Sequence, residues 1–133
     1  MSTRSRIGMM LSDGTIKNIY CHHDGDVESV GNTLLNHYSD EDKIKELLLF
    51  GNLSVLEKNI HPEGEHSFDV PEPDVCIFYA RDRGNEDEDA DICSMEEYIN
   101  NTMIHYSYLY LNNEWSVYDC FVKDGWDKVK DLL

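Results

Sequence analysis

The sequence predicts an α+β domain: a mostly antiparallel sheet with helices packed on one face. Three observations carry that expectation. Turn signals sit between apolar runs at both ends of the chain, at Asp13-Gly14 and at Asn112-Asn113, and each marks a β-hairpin. Between them, apolar residues recur with the period of a helix rather than a strand. The length of 133 residues suits one domain, residues 1–133, and no internal repeat is visible.

Taken in order, Ile7–Leu11 and Thr15–His22 form the first hairpin around Asp13-Gly14. Val27, Val30, Leu34, Leu35 and Tyr38 then mark one face of a helix, with Asp26 placed to cap it. Gly31 on that face permits close packing. Ser39-Asp40-Glu41-Asp42 opens a second helix, with acids in the first turn where the dipole favours them. Ile44, Leu47 and Leu48 are its apolar face and Gly51 its stop. Residues 52–60 read as a short helical turn docking Leu53, Val55 and Leu56.

Residues 61–74 are polar, contain all three prolines, and predict a loop. Val75–Ala80 is a nearly continuous apolar run and predicts one buried central strand. A second loop is expected over 82–93. Ser94–Asn101 predicts a short helix with Ser94 as cap and Glu97 at the capping-box position. Tyr106, Tyr108 and Tyr110 alternate with Ser107, Leu109 and Leu111, a strand that turns at Asn112-Asn113 into Glu114–Cys120. Those tyrosines, with Trp115 or Tyr118, face either the core or an aromatic docking surface. Gly125–Leu133 predicts a last helix with Trp126, Val129 and Leu133 inward.

Composition excludes several classes. The chain carries 27 Asp+Glu against 11 Lys+Arg, a net charge of −16, which argues against direct nucleic-acid binding through phosphates. No run of about 18 apolar residues predicts a membrane span, and Met1–Arg6 does not resemble a secretion signal. A cytoplasmic location follows as the expectation. Hydrophobic residues make up 41% of the chain, including 2 Trp, 8 Tyr and 4 Phe, so it can build a core despite its charge. Cys21, Cys76, Cys93 and Cys120 contain no C-x-x-C and are expected as free thiols.

The charge is unevenly placed. Residues 1–58 hold 9 acids and 6 bases, while 59–122 hold 15 acids and only Arg81 and Arg83. Residues 123–133 hold 3 of each. The densest stretch is Glu86, Asp87, Glu88, Asp89 and Asp91, with Glu96 and Glu97 beyond. It reads either as a solvated loop or as a surface that steers a basic partner. Duplex DNA carries one charge per about 1.7 Å, so 16 charges match roughly 27 Å of duplex. A globule of this length is about 36 Å across. A DNA mimic is therefore feasible by charge density.

Chemical motifs are sparse. Cys21-His22-His23-Asp24-Gly25-Asp26 concentrates candidate zinc ligands. Strand neighbours point to opposite faces, however, so Cys21, His22 and His23 cannot converge while extended. Asp87-x-Asp89-x-Asp91 resembles the start of an EF-hand loop but has Ile92 and Tyr98 where Gly and Glu are required. There is no G-x-S-x-G, no G-x-x-x-x-G-K-S/T and no H-E-x-x-H, and no cofactor motif. Cys21 with His22 or His37 is a nucleophile pair only if the fold joins them.

Several stretches resemble a family of small accessory proteins of tailed bacteriophages and prophages. They begin with Arg6-Ile7-Gly8, Asp13-Gly14, Ile19-Tyr20-Cys21-His22 and Asp24-Gly25. They continue through Val30-Gly31, Leu34-Leu35, His37-Tyr38 and Gly51-Asn52-Leu53-Ser54. They end with Tyr79-Ala80-Arg81-Asp82-Arg83-Gly84, Tyr108-Leu109-Tyr110 and Glu114-Trp115. The chain departs from that pattern at His23, Asp26 and Val27. The resemblance implies phage origin and no catalytic residue.

The leading expectation is a non-enzymatic inhibitor, of anti-CRISPR or DNA-mimic type, whose acidic half binds a basic host defence or nucleic-acid-processing protein. A second class is a module that sequesters a nucleotide signal, with Tyr20, His22, Asp24, Arg81 and Arg83 supplying stacking and phosphate contacts. A third is a metal-dependent enzyme using Cys21, His22, His23, Asp24 and Asp26.

Overall fold

The computed structural model describes residues 2–133. Strands β1 (Ser5–Met10) and β2 (Ile16–Cys21) form the first hairpin. The Asp13 carboxylate accepts from the Thr15 backbone N–H at 3.0 Å and so fixes the turn. A π-helical turn (Val27–Gly31) runs directly into helix α1 (Asn32–His37), and helix α2 (Glu41–Leu49) follows. α2 opens with Glu41 and Asp42 in its first turn, as expected, and Asp40 caps it by accepting the Asp42 N–H. Asp26 stands at the expected N-terminus, but its carboxylate takes the Ser29 hydroxyl rather than a backbone N–H. The Ser29 N–H, three residues on, goes instead to the Asp26 carbonyl at 3.1 Å.

The remaining elements are β3 (Leu53–Val55), β4 (Ile77–Phe78), α3 (Tyr79–Arg83), β5 (Asp91–Cys93) and α4 (Met95–Ile99). They are followed by β6 (Tyr106–Leu111), β7 (Glu114–Asp119), β8 (Trp126–Lys128) and α5 (Val129–Leu132). The sheet order is β4-β3-β2-β1-β6-β7-β8, and β5 pairs with β2 beside β3. The fold is α+β, but the sheet is mixed rather than mostly antiparallel. β1 runs parallel to β6 and β2 parallel to β3. Hairpin signals report only neighbours in sequence. The joints between hairpins are made by the helical crossover after β2 and by the return of the chain at β6, and parallel neighbours require such crossovers.

Four further expectations are corrected. Residues 52–60 contain a strand, not a helical turn, because Leu53 pairs with both Cys21 and Phe78. The apolar run Val75–Ala80 yields only the two-residue β4, at the sheet edge rather than its centre. Tyr79 then opens a helix that Gly84 ends at φ +82°. Within the expected 82–93 loop, Asp91–Cys93 is a strand. In the C-terminal segment Trp126 lies on β8, and only Val129 is buried as expected.

The main core lies on one face of the sheet. Ile7, Ile19, Tyr108 and Val117 pack there against Val30, Leu34, Ile44, Leu47 and Val129. Each such side chain contributes about 1.5–3 kcal/mol by leaving water. Gly31 faces Tyr108 and Val129, where a Cβ would make ordinary contact at 3.4 Å, and its one tighter contact would be with the Val27 side chain at 3.2 Å. The opposite face is not bare. Helix α4 covers part of it, with Tyr98 packed on Ile16 and Leu109, so helices occupy both faces. The capping box predicted at Ser94 and Glu97 is present.

The tyrosine strand is core. Tyr108 is fully buried and donates to the Gly25 carbonyl at 2.7 Å, and Trp115 packs on Tyr110 at 5.2 Å between centroids. Tyr118 lies on the other face, against Trp126. Buried phenols that find carbonyl partners are the usual resolution of an amphipathic ring.

Candidate functional site

The acidic segment is held to the sheet by its own backbone. Asn52 is the fastener. Its side-chain carbonyl accepts the Tyr20 N–H at 2.8 Å, and its N–H donates to the Glu88 carbonyl at 2.8 Å. Its amide also donates to the Glu88 carboxylate at 3.0 Å. Asn52 thus bridges the gap on the β2 edge between β3 and β5. The seven acids singled out by sequence divide accordingly. Glu86, Asp87, Asp89 and Glu96 are exposed and make no ion pair among the described residues. Asp91 is exposed and 3.9 Å from Arg6. Glu88 is half-buried and committed to Asn52 and Asn85, and Glu97 to the α4 cap. Those last two acids hold structure.

The proposed nucleotide residues are not brought together. The Arg81 guanidinium is consumed internally. It bonds Asp82 at 2.8 and 3.1 Å and the carbonyls of Ile60 at 2.6 Å and Cys76 at 3.0 Å. It also lies 4.8 Å from the Phe78 ring centre. Asp82 in turn accepts the Phe78 N–H at 2.7 Å and faces His66 Nε2 at 3.2 Å. Burial alone would raise the Asp82 pKa, but these hydrogen bonds and the Arg81 charge outweigh it and hold the carboxyl below its usual range. Arg83 lies over Phe68 at 5.0 Å. Together they pin the 61–74 loop, which supplies His66 to Asp82 and Phe68 to Arg83. Sequence reasoning missed His66. Its signal was one histidine inside a proline-rich loop.

Tyr20 and His22 do meet. The Tyr20 hydroxyl lies 2.6 Å from His22 Nδ1, and the His22 ring stands edge-on to His23 at 4.6 Å. Burial, then His23 and Arg4, lower the His22 pKa. Asp24 sits exposed in the following turn at φ +55°. The Cys21 thiol lies on the opposite face, fully buried, and burial pushes its pKa up to about 12. Cys21 therefore does not pair with His22 as an activated nucleophile. Cys21, His22, His23, Asp24 and Asp26 are not gathered as ligands, and no group of three or more His, Cys, Asp or Glu suited to a metal occurs among the described residues. All four cysteines are free, and no described helix is long and apolar enough to cross a membrane.

One cleft was not anticipated. It has a volume of about 450 Å³ and is lined by Ser2, Thr3, Arg4, Thr102, Met103, His105 and Phe121. His105 stacks on Tyr106 at 4.1 Å and on Phe121 at 4.3 Å, making a column of three rings. Phe121 is held in an Asx turn, where Asp119 accepts the N–H groups of Phe121 and Val122. The available signal was Phe121-Val122, an apolar pair between Asp119 and Lys123-Asp124 with no periodicity to bury it. No protein-family profile, no curated protein and no solved structure matches the chain.

Proposed function

We propose that the protein is a non-enzymatic binding protein that blocks a basic-surfaced partner with the acidic edge of its sheet. One observation carries the reading. Glu86, Asp87, Asp89, Asp91 and Glu96 are exposed on a continuous segment that Asn52 and β5 fasten to β2. Charges presented from an anchored backbone steer a basic partner without the entropy cost of ordering a free loop on binding. A host defence or nucleic-acid-processing protein fits that description, since such proteins carry clustered Lys and Arg. The phage origin of the inhibitor rests on the motif resemblance alone.

The test is affinity capture from bacterial host lysate at low and high salt. It compares the native chain with a variant carrying Glu86→Gln, Asp87→Asn, Asp89→Asn and Glu96→Gln. Glu88 and Glu97 are left intact because they hold structure. A partner captured at low salt, lost at high salt and lost in the variant is expected. Equal capture by both proteins refutes the reading.

A further inference from the structure

We propose that the cleft beside Arg4 binds a nucleoside monophosphate, its base stacked on Phe121 and its phosphate held by Arg4. The site is separate from the acidic edge and does not depend on it.

The ring column Phe121–His105–Tyr106 is the first argument. Tyr106 lies at the margin of the core, but Phe121 is 62% exposed and Met103, across the cleft, is 64% exposed. The column therefore ends in an aromatic face in a cleft that also holds a thioether, with nothing among the described residues covering it. A planar base is the natural next member, and such stacking tolerates any base.

The second argument is charge. Arg4 makes no ion pair and no side-chain hydrogen bond among the described residues, in a chain of net charge −16. Arg6 has Asp91, Arg81 has Asp82 and Lys58 has Asp74, whereas Lys17, Lys43, Arg83 and Lys123 share with Arg4 the lack of an acidic partner among the described residues; of these five, Arg4 is the one that lines the cleft. The β1–β2 register places Arg4 opposite His22, so its neighbour across the ladder is a histidine. The acid nearest the column is Asp119, which is already engaged by His105 and by the N–H groups of Phe121 and Val122. A fork of free donors at one end of a cleft matches a phosphate. Thr3 and Thr102 line the same cleft with hydroxyls that suit a ribose, while the Ser2 hydroxyl already lies 2.9 Å from His23 Nδ1.

Size and field narrow the ligand. A volume of about 450 Å³ falls within the range of roughly 300–1,000 Å³ typical of small-molecule sites. A polynucleotide would bring many charges against a −16 surface, whereas a mononucleotide brings about two. Arg4 offsets about one of these charges, and its fork can hold two phosphate oxygens at once.

Calorimetric titration of the full chain with AMP, GMP, CMP and UMP, and with adenosine and inorganic phosphate, tests the proposal. At least one monophosphate is expected to bind at least tenfold more tightly than adenosine or phosphate. Arg4→Ala should weaken the monophosphate at least tenfold and leave adenosine unchanged. Phe121→Ala should weaken both the monophosphate and adenosine. Both side chains lie outside the core, so circular dichroism should show unchanged folds. If either variant unfolds, an NMR titration of the native chain decides. Shifts centred on Arg4, His105 and Phe121 support the site, and shifts elsewhere overturn it. Absence of binding by all four monophosphates overturns it. So does a dimer that Phe121→Ala dissolves and nucleotide leaves untouched, because the cleft would then be a contact between copies.

Discussion

The Asp82 carboxylate joins a strand, a helix and a loop. It closes α3 onto β4 through the Phe78 N–H, anchors Arg81, and meets His66 from the 61–74 loop. The side chains of Asp82 and His66 are only 5% and 2% exposed, so removing one partner strands the others away from water. Breaking such a pair costs about 3–5 kcal/mol. Asp82→Asn and Arg81→Ala should each lower stability to urea by an amount of that order. The pH dependence has a definite sign. The folded pKa of Asp82 lies below its unfolded value near 3.9, so its contribution is complete above that value and is lost as pH falls through the folded one. The gap between native chain and Asp82→Asn should therefore be widest at pH 7 and narrow below about pH 4. A gap independent of pH would show that the carboxylate charge is not what stabilises the node. The Tyr79–Gly84 stretch, quoted above for its family resemblance, is thus accounted for by packing.

At the scale of elements, local signals were legible and long-range ones were not. Asp13-Gly14, Asn112-Asn113, the acidic opening of α2 and the Ser94–Glu97 capping box depend on residues within a few positions, and all form as expected. β3 and β4 are three and two residues long and exist because a strand distant in sequence supplies their ladder, and the three-residue β8 depends likewise on β7. No periodicity can emerge from two or three residues. The apolar run at Val75–Ala80 misleads because its phase breaks at Tyr79, where Asp82 captures the Phe78 N–H and turns the chain helical. Two glycines separate conformation from packing. Gly51 and Gly84 both have φ +82°, but a Cβ on Gly51 would collide with the Glu88 carbonyl, whereas one on Gly84 would meet nothing within 4 Å. Gly84→Ala should cost about 1 kcal/mol from the left-handed backbone alone. Gly51→Ala should cost clearly more and loosen the acidic segment, seen as faster amide exchange over 86–91. Equal costs would mean that the segment is not held where Gly51 meets Glu88. Asn52→Ala attacks the same fastener by leaving the Tyr20 N–H without its acceptor, a loss of about 1–3 kcal/mol.

For the whole molecule, the placement of charge was legible in sequence, and its division of labour was not. Counting acids located the dense stretch between 86 and 97, and the capping-box spacing gave Glu97 its structural role, but only the fold shows that Glu88 holds structure while Glu86, Asp87, Asp89 and Glu96 face solvent. The cleft was illegible because Arg4, Met103 and Phe121 lie far apart in sequence and meet only where the end of β1 comes beside β6. A net charge of −16 on a body about 36 Å across must repel itself, and the range of that repulsion depends on salt. At 0.01 M the screening length is about 30 Å, so nearly all the acids act on one another. At 1 M it is about 3 Å, and only neighbours do. Relief of about 1 kcal/mol raises the melting temperature of a domain of this size by roughly 3–6 °C. Thermal melts at pH 7 should therefore rise by that much between 0.01 M and 1 M sodium chloride. The variant with Glu86→Gln, Asp87→Asn, Asp89→Asn and Glu96→Gln should begin higher at low salt and rise less. A flat profile for the native chain would mean that its acids are neutralised within the fold, which would remove the physical basis for a steering surface. A variant that melts higher yet captures no partner would show these four acids to be retained for binding at the expense of stability.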